Sequence, residues 1–158
     1  RKRWVAQLAD EAGYSRALVE PAFMVLWLAR NQVTFYHQVL SILTKLAQQY
    51  TLGVISNGNA DVHHIGIGDL FNFVHNSEQA GVAKPAPAIF QHAIHITELP
   101  ANAIVYVGDD LEKDIGGAQS VGMRTIWLQH HPQPKPNIIR PDVTIRQFAE
   151  LEAALRTL

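Results

Sequence analysis

Apolar residues recur at three- and four-residue intervals from Trp4 to Ala12 and again from Ser15 to about Ala29, with Ser15 placed to cap the second segment. This is the period of one face of an α-helix. The longest apolar run, Ala22 to Ala29 (AFMVLWLA), falls in the second segment and reads as a buried helix face; it is far short of the ~20 residues that span a bilayer. Asn31 to Thr34 breaks the pattern, and Tyr36 to Gln49 then predicts an amphipathic helix with Leu40, Leu43, Leu46 and Ala47 on one stripe. Beyond it the texture changes. Short apolar runs at Leu52–Ile55, Phe71–Val74, Ile104–Val107, Thr125–Leu128 and Val143–Ile145 predict strands, and helical patterns at Ala60–Ile67, Ala86–Ile96, Asp114–Val121 and Arg146–Leu155 separate most of them. Strands alternating with helices predict an α/β fold, a doubly wound, Rossmann-like parallel sheet. The boundary falls near residue 34, between an all-helical segment 1–33 and an α/β segment 34–158. Pro132, Pro134, Pro136 and Pro141 make His130 to Pro141 an extended connection before the last strand.

Composition narrows the functional classes. With 158 residues, 47% hydrophobic and 17% charged, the chain matches one ordinary globular domain. Cys 0 rules out disulfides, thiolate metal sites and cysteine nucleophiles, and the cytoplasm is the expected location. Lys+Arg 13 against Asp+Glu 14, a formal net charge of -1, lacks the basic balance of a nucleic-acid binder. Neither a nucleic acid nor a membrane is expected as partner. Arg1-Lys2-Arg3 imitates the start of a signal peptide, but Gln7, Asp10 and Glu11 interrupt the apolar stretch that should follow. The first residue is not Met, which points to an excised or truncated piece.

In an open parallel sheet, ligands bind beyond the carboxyl ends of the strands. Three such ends carry chemistry. At Ile55-Ser56-Asn57-Gly58-Asn59 a hydroxyl and a glycine-permitted turn offer free N–H groups to an anion, although Asn-Gly alone is an ordinary turn signal. Gly81-Val82-Ala83-Lys84-Pro85-Ala86-Pro87 places one lysine before a proline-initiated helix. Lys84 there is either an ordinary solvated lysine or a cation for a phosphoryl group or a crowded carboxylate site. Most specific is Val105-Tyr106-Val107-Gly108-Asp109-Asp110-Leu111-Glu112-Lys113-Asp114, an apolar strand ending in adjacent carboxylates with a third one turn on. Helix capping explains one of those acids, not three; oxygen ligands without cysteine suit Mg²⁺.

The order hydroxyl, lysine, acid pair resembles the haloacid dehalogenase (HAD) superfamily of hydrolases, with Ser56 matching the second motif, Lys84 the third and Gly108-Asp109-Asp110 to Asp114 the fourth. The resemblance covers the chain from about residue 34 onward, and residues 1–33 look like the end of the helical cap that this family inserts after its first motif. More narrowly, Ile55 to Asn59 with Gly66-Ile67-Gly68-Asp69-Leu70-Phe71 is similar to bacterial phosphatases of flavin mononucleotide and of 5-amino-6-(5-phospho-ribitylamino)uracil, a riboflavin precursor. The resemblance implies a Mg²⁺-dependent phosphatase acting on a small phosphorylated metabolite through a phospho-aspartyl intermediate. It implies phosphate binding by Ser56, the Asn57 N–H and Lys84, Mg²⁺ binding by Asp109, and Asp114 orienting that site, with Asp110 an alternative ligand or orienting group.

The first motif, an apolar strand ending in Asp-x-Asp, does not occur, so this chain supplies no nucleophile. In the family that strand is central, flanked by the strands ending at Ser56 and Gly108. Its removal predicts unpaired backbone groups, an unfilled slot, poor folding and no phosphatase activity for the 158 residues alone. The competing readings are a non-catalytic HAD-like binding or regulatory protein and a 2-haloacid dehalogenase on the same scaffold. Receiver-domain order is reversed here, and no Gly-x-Gly-x-x-Gly follows a strand. His63-His64 and His130-His131 lack a third metal ligand and read as surface residues. Trp4, Trp27 and Trp127 read as core or interface aromatics, with Phe23, Met24 and Trp27 used in helix packing.

Overall fold

A computed structural model of the chain describes residues 2–130 and 138–158. His131, Pro132, Pro134 and Pro136 of the proline-rich connection lie outside the described residues, as does Arg1. The chain divides into two compact units: residues 1–34 with 59–69, and residues 35–58 with 70–158.

The first unit packs α1 (Lys2–Glu11) against α2 (Val19–Asn31). Ser15 accepts the N–H of Ala17 and caps the short 3₁₀ turn Arg16–Leu18 that leads into α2. The apolar run in α2 is not the buried face its composition predicted: Met24, Val25, Leu26 and Leu28 are exposed, Val25 by 67%. This helix, apolar nearly all round, packs on α1 and on the Arg16–Leu18 turn, and its Trp27 ring meets His64, so part of its surface is covered while Met24, Val25, Leu26 and Leu28 stay exposed. Trp4 of α1, expected in a core or interface, is 58% exposed. The helix expected over Ala60–Ile67 is a series of turns instead. Its apolar spacing is real, but Gly66 adopts φ +88, which ends any helix there. Asn31, buried at the end of α2, accepts the Asp61 N–H at 2.7 Å and ties this segment to the unit.

The second unit is the α/β layer structure. Strand β1 (Gly53–Ser56) pairs in parallel with β2 (Phe73–Asn76), and β3 (Val105–Gly108), β4 (Arg124–Leu128) and β5 (Val143–Ile145) form a second parallel sheet in that order. Side chains alternate between two apolar layers, as strand geometry requires. On one face Val105, Val107 and Ile126 join α3 (Val39–Ala47) through Leu46 and α7 (Leu151–Leu155) through Leu151 and Ala154. On the other, Ile55, Phe73 and Tyr106 pack with Ile89, Phe90 and Ala93 of α5 (Pro87–Thr97) and with Ala118 of α6 (Gly117–Gln119).

Several boundaries differ from the sequence pattern, those of β2 and of the helix expected at Asp114–Val121 among them. β2 starts two residues later than the apolar run Phe71–Val74 and continues through His75 and Asn76. Asn72 sets that start, since its N–H donates to the Leu52 carbonyl and its side chain accepts the Leu52 N–H. Asn76 then caps α4 (Ser77–Ala80), a one-turn helix with a reciprocal Gln79 bond that the apolar pattern does not reveal. The helix expected at Asp114–Val121 begins earlier, as a π-helical turn over Leu111–Gly116, before α6.

His75 is buried and its ring stacks on His92 of α5 at 3.8 Å between centroids. Burial, and secondly the neighbouring His92, hold the His75 imidazole below its ordinary pKa. A group whose folded pKa is depressed binds its proton more readily when unfolded. Unfolding free energy should therefore fall as pH drops below about 6.5 through the folded value. His75→Phe, which keeps a ring against His92, should flatten that slope in urea titrations between pH 7.5 and 5; an unchanged slope would contradict the assignment.

Candidate active site

The carboxyl ends of β1 and β3 carry the candidate chemistry, and both strands lie in the second unit. At the last residue of β1, the Ser56 hydroxyl oxygen accepts the Gly58 N–H at 2.9 Å, which closes the turn and leaves the hydroxyl proton for another acceptor. Asn57, expected to offer its backbone N–H, has a separate use for its side chain. Its Oδ1 accepts the Lys84 N–H at 2.7 Å and its Nδ2 donates to the Lys84 carbonyl at 2.9 Å. This two-point clamp fixes the lysine backbone beside β1, and sequence spacing gives no sign of it.

From that clamp the Lys84 side chain runs inward. Its ammonium donates to Asp114 Oδ1 at 2.6 Å, to the Tyr106 hydroxyl at 3.0 Å and to the Ile55 carbonyl at 3.2 Å. The Lys84 and Asp114 side chains are only 13% and 6% exposed, so this is a buried ion pair and not a solvated lysine. The other Asp114 oxygen, Oδ2, accepts the backbone N–H groups of Asp109 and Asp110 at 3.2 and 3.1 Å. Asp114 therefore shapes the loop that presents Asp109. Gly108 permits the approach, since a Cβ there would overlap the Asp114 side chain.

The acid cluster separates into distinct tasks. Asp110 is a cap: its Oδ1 accepts the N–H groups of Glu112 and Lys113, and its Oδ2 pairs with the Lys113 ammonium at 2.7 Å. Burial alone would raise the Asp110 carboxyl, but these bonds outweigh it and hold its pKa below the ordinary value. Asp109 is exposed; its backbone is held by Asp114 and by the Trp127 indole N–H at 3.0 Å, while no bond among the described residues engages its carboxylate. Tyr106 was not singled out by sequence; its ring packs edge-on to Phe90. Burial first, and the Asp114 charge second, push the Tyr106 phenol well above its ordinary range and keep it neutral.

Among the described residues, β1 pairs only with β2, and β3 only with β4. Leu52 bonds toward β2 and Ile104 toward β4, so alternation leaves the backbone groups of Gly53, Ile55, Val105 and Val107 on the opposite edges. Both strands line a cavity of about 1050 Å³, together with Leu46, Phe73, Leu128 and Leu151. No three His, Asp or Glu side chains among the described residues converge as a metal site.

The model of the haloacid dehalogenase-like hydrolases matches residues 25–128. The chain belongs to that family. Among curated relatives, two proteins from Escherichia coli are described as a pyrimidine 5'-nucleotidase, YjjG (33% identical over 122 residues, 73% of this chain and 54% of that protein), and a 5-amino-6-(5-phospho-D-ribitylamino)uracil phosphatase, YigB (35% over 100 residues, 63% of this chain and 42% of that protein). The chain thus spans about half the length of these relatives. Among solved structures, a 2-haloacid dehalogenase from Pseudomonas syringae superposes with a TM-score of 0.92 at 37% identity, over 99% of this chain and 70% of that one. The Rossmann-like α/β HAD fold expected from sequence is the fold observed. No described helix is long and apolar enough to cross a membrane.

Removing one partner of a buried ion pair leaves the other charged, desolvated and unpaired. Asp114→Ala should lower the unfolding free energy by about 3–5 kcal/mol, read from urea denaturation. A loss below about 1 kcal/mol, typical of exposed pairs, would show that the Lys84–Asp114 pair is not buried in solution.

Proposed function

We propose that this chain forms the phosphate-binding part of a phosphomonoester hydrolase whose nucleophilic aspartate arrives on a further strand, seated in the cleft between β1 and β3. The observation that carries the reading is the buried Lys84 ammonium, held between the Ser56 turn and the Asp109 loop at the carboxyl ends of the two strands flanking that cleft. In this reading residues 1–33 are the end of a helical cap, and residues 34–158 are a HAD core without its central strand.

The residues would divide the work as follows. The Ser56 hydroxyl and the Asn57 N–H donate to phosphoryl oxygens, and Lys84 stabilises the negative charge shared by carboxylate and phosphoryl group. An aspartate on the added strand attacks phosphorus, the ester P–O bond breaks, and the leaving alkoxide takes a proton from a neighbouring acid. Water then attacks phosphorus of the phospho-aspartyl group, releasing phosphate and restoring the carboxylate.

Charge counting supports a divalent cation. Asp114 already neutralises Lys84, and Asp109 adds a negative charge, so the local balance opposes a phosphate dianion. Asp109 is the one uncommitted carboxylate of the cluster, which falls short of the six oxygen ligands of Mg²⁺. Residues of this chain alone do not complete a metal site, and Mg²⁺ is proposed only with carboxylate oxygens from the added strand. Bound there, it would offset repulsion between carboxylate and phosphate.

The proposed substrate is a small phosphorylated metabolite in the cytoplasm. A role in riboflavin metabolism, with flavin mononucleotide or the ribitylamino-uracil phosphate as substrate, draws on the YigB likeness. Dehalogenation of a 2-haloacid is the second reading, favoured by the Pseudomonas syringae likeness.

The test assays the longer protein, with the strand present, against phosphate monoesters and 2-haloacids. Mg²⁺-dependent phosphate release is expected, lowered by about 10²–10³ in Lys84→Ala, with no turnover by the 158 residues alone. Halide release without phosphate release would replace this reading with the second. Turnover by the 158-residue chain that Asp109→Ala abolishes would overturn the need for an added strand.

A further inference from the structure

The Lys84 ammonium carries three N–H donors, and three acceptors of the chain surround it: Asp114 Oδ1 at 2.6 Å, the Tyr106 hydroxyl at 3.0 Å and the Ile55 carbonyl at 3.2 Å. Every donor is committed to the protein. In this arrangement the lysine has no N–H to offer a phosphoryl oxygen. The three acceptors are not equivalent, however. Tyr106 lies in β3 and Asp114 in the π-helical turn that follows it; the Asp114 carboxylate is held by two backbone N–H groups, and the Tyr106 ring packs edge-on against fully buried Phe90. Ile55 lies across the cleft on β1, and its carbonyl is one of the groups left on the unpaired edge.

We propose that seating a strand against β1 transfers the Ile55 carbonyl from Lys84 to a backbone N–H of that strand, freeing one ammonium N–H for the ligand, and that Tyr106 is the positioning residue that aims it. This rests on the reading that a strand fills the cleft. A parallel partner on β1 donates backbone N–H groups to the carbonyls of that edge, and its backbone would lie between Ile55 and the ammonium. Asp114 and Tyr106 then retain two of the three N–H groups, and two fixed acceptors define the direction of the third. Without the hydroxyl only Asp114 remains, and the ammonium can turn about a single bond. The Tyr106 hydroxyl is also 3.5 Å from Asp114 Oδ1 and 3.4 Å from the Ile55 carbonyl, so its own proton lies between the acceptors that compete for the lysine. The same hydroxyl can donate to Asp114 once Ile55 is withdrawn.

Tyr106→Phe removes one oxygen and keeps the ring against Phe90. The first measurement is the Nζ–H resonance of Lys84 in ¹⁵N-lysine-labelled protein, compared between the 158-residue chain and the longer protein with its strand. The resonance should move between the two, and in the longer protein it should move again or broaden in Tyr106→Phe; coincident resonances in all three would overturn the proposal. The second is steady-state phosphatase kinetics in the longer protein, where kcat should fall about tenfold in Tyr106→Phe with KM within about twofold. An unchanged kcat, or a fall that only tracks the folded fraction, would overturn the positioning role. Failure of the phosphatase reading is distinguished by the wild type releasing no phosphate while the Lys84 resonance still moves as expected.

Discussion

The buried pair of Lys84 and Asp114 is the constraint to which the rest of the site conforms. An ammonium and a carboxylate taken out of water are tolerated only when their remaining hydrogen-bonding capacity is met inside the protein, and this chain meets it from four directions. The Asn57 side chain clamps the lysine backbone, while the Ile55 carbonyl and the Tyr106 hydroxyl receive the ammonium. The N–H groups of Asp109 and Asp110 occupy the far carboxylate oxygen. Gly108 lacks a side chain because Asp114 needs the space. The π-helical turn over Leu111–Gly116, capped by Asp110, brings Asp114 back under the strand end. Asp109 is left pointing outward with an uncommitted carboxylate, so a structural ion pair ends up presenting a potential ligand.

A second constraint is the division of the sheet. Parallel strands are normally buried on both faces and paired on both edges, yet β1 and β3 each have one partner and line an apolar cavity of about 1050 Å³. The apolar layers on either side already hold their helices in place. What is lacking lies between the strands, in the plane where backbone hydrogen bonds would form. The Lys84 ammonium and the Tyr106 hydroxyl reach the Ile55 carbonyl across that gap.

Much of this was legible in the sequence because it depends on local patterns. Apolar runs marked β1, β3, β4 and β5, and Ser56 and Asp109 marked the strand ends that carry chemistry, whereas Lys84, expected at a third strand end, lies in the loop between α4 and α5 and reaches the site through its side chain. β2 was displaced because a buried, stacked His75 continues a strand that an apolar-run criterion ends at Val74. The exposed side of α2 could not be foreseen, since apolarity says that a surface needs a partner without saying whether one is there. The partition of the three acids also depended on geometry. Capping by Asp110, loop shaping by Asp114 and the free carboxylate of Asp109 are set by which N–H groups point where. The Asn57 clamp and Tyr106 were invisible for the same reason: their partners are 27 and 22 residues away from them in the chain.

The central claim is that the cleft between β1 and β3 is the seat of a backbone strand. Amide hydrogen exchange at Gly53, Ile55, Val105 and Val107 tests it most directly, because those N–H groups lie on the unpaired edges. The account predicts fast exchange at these four positions in the 158-residue chain, slow exchange at Val54 and Tyr106, and protection of all six in the longer protein. Equal protection of the four edge amides in both would contradict it.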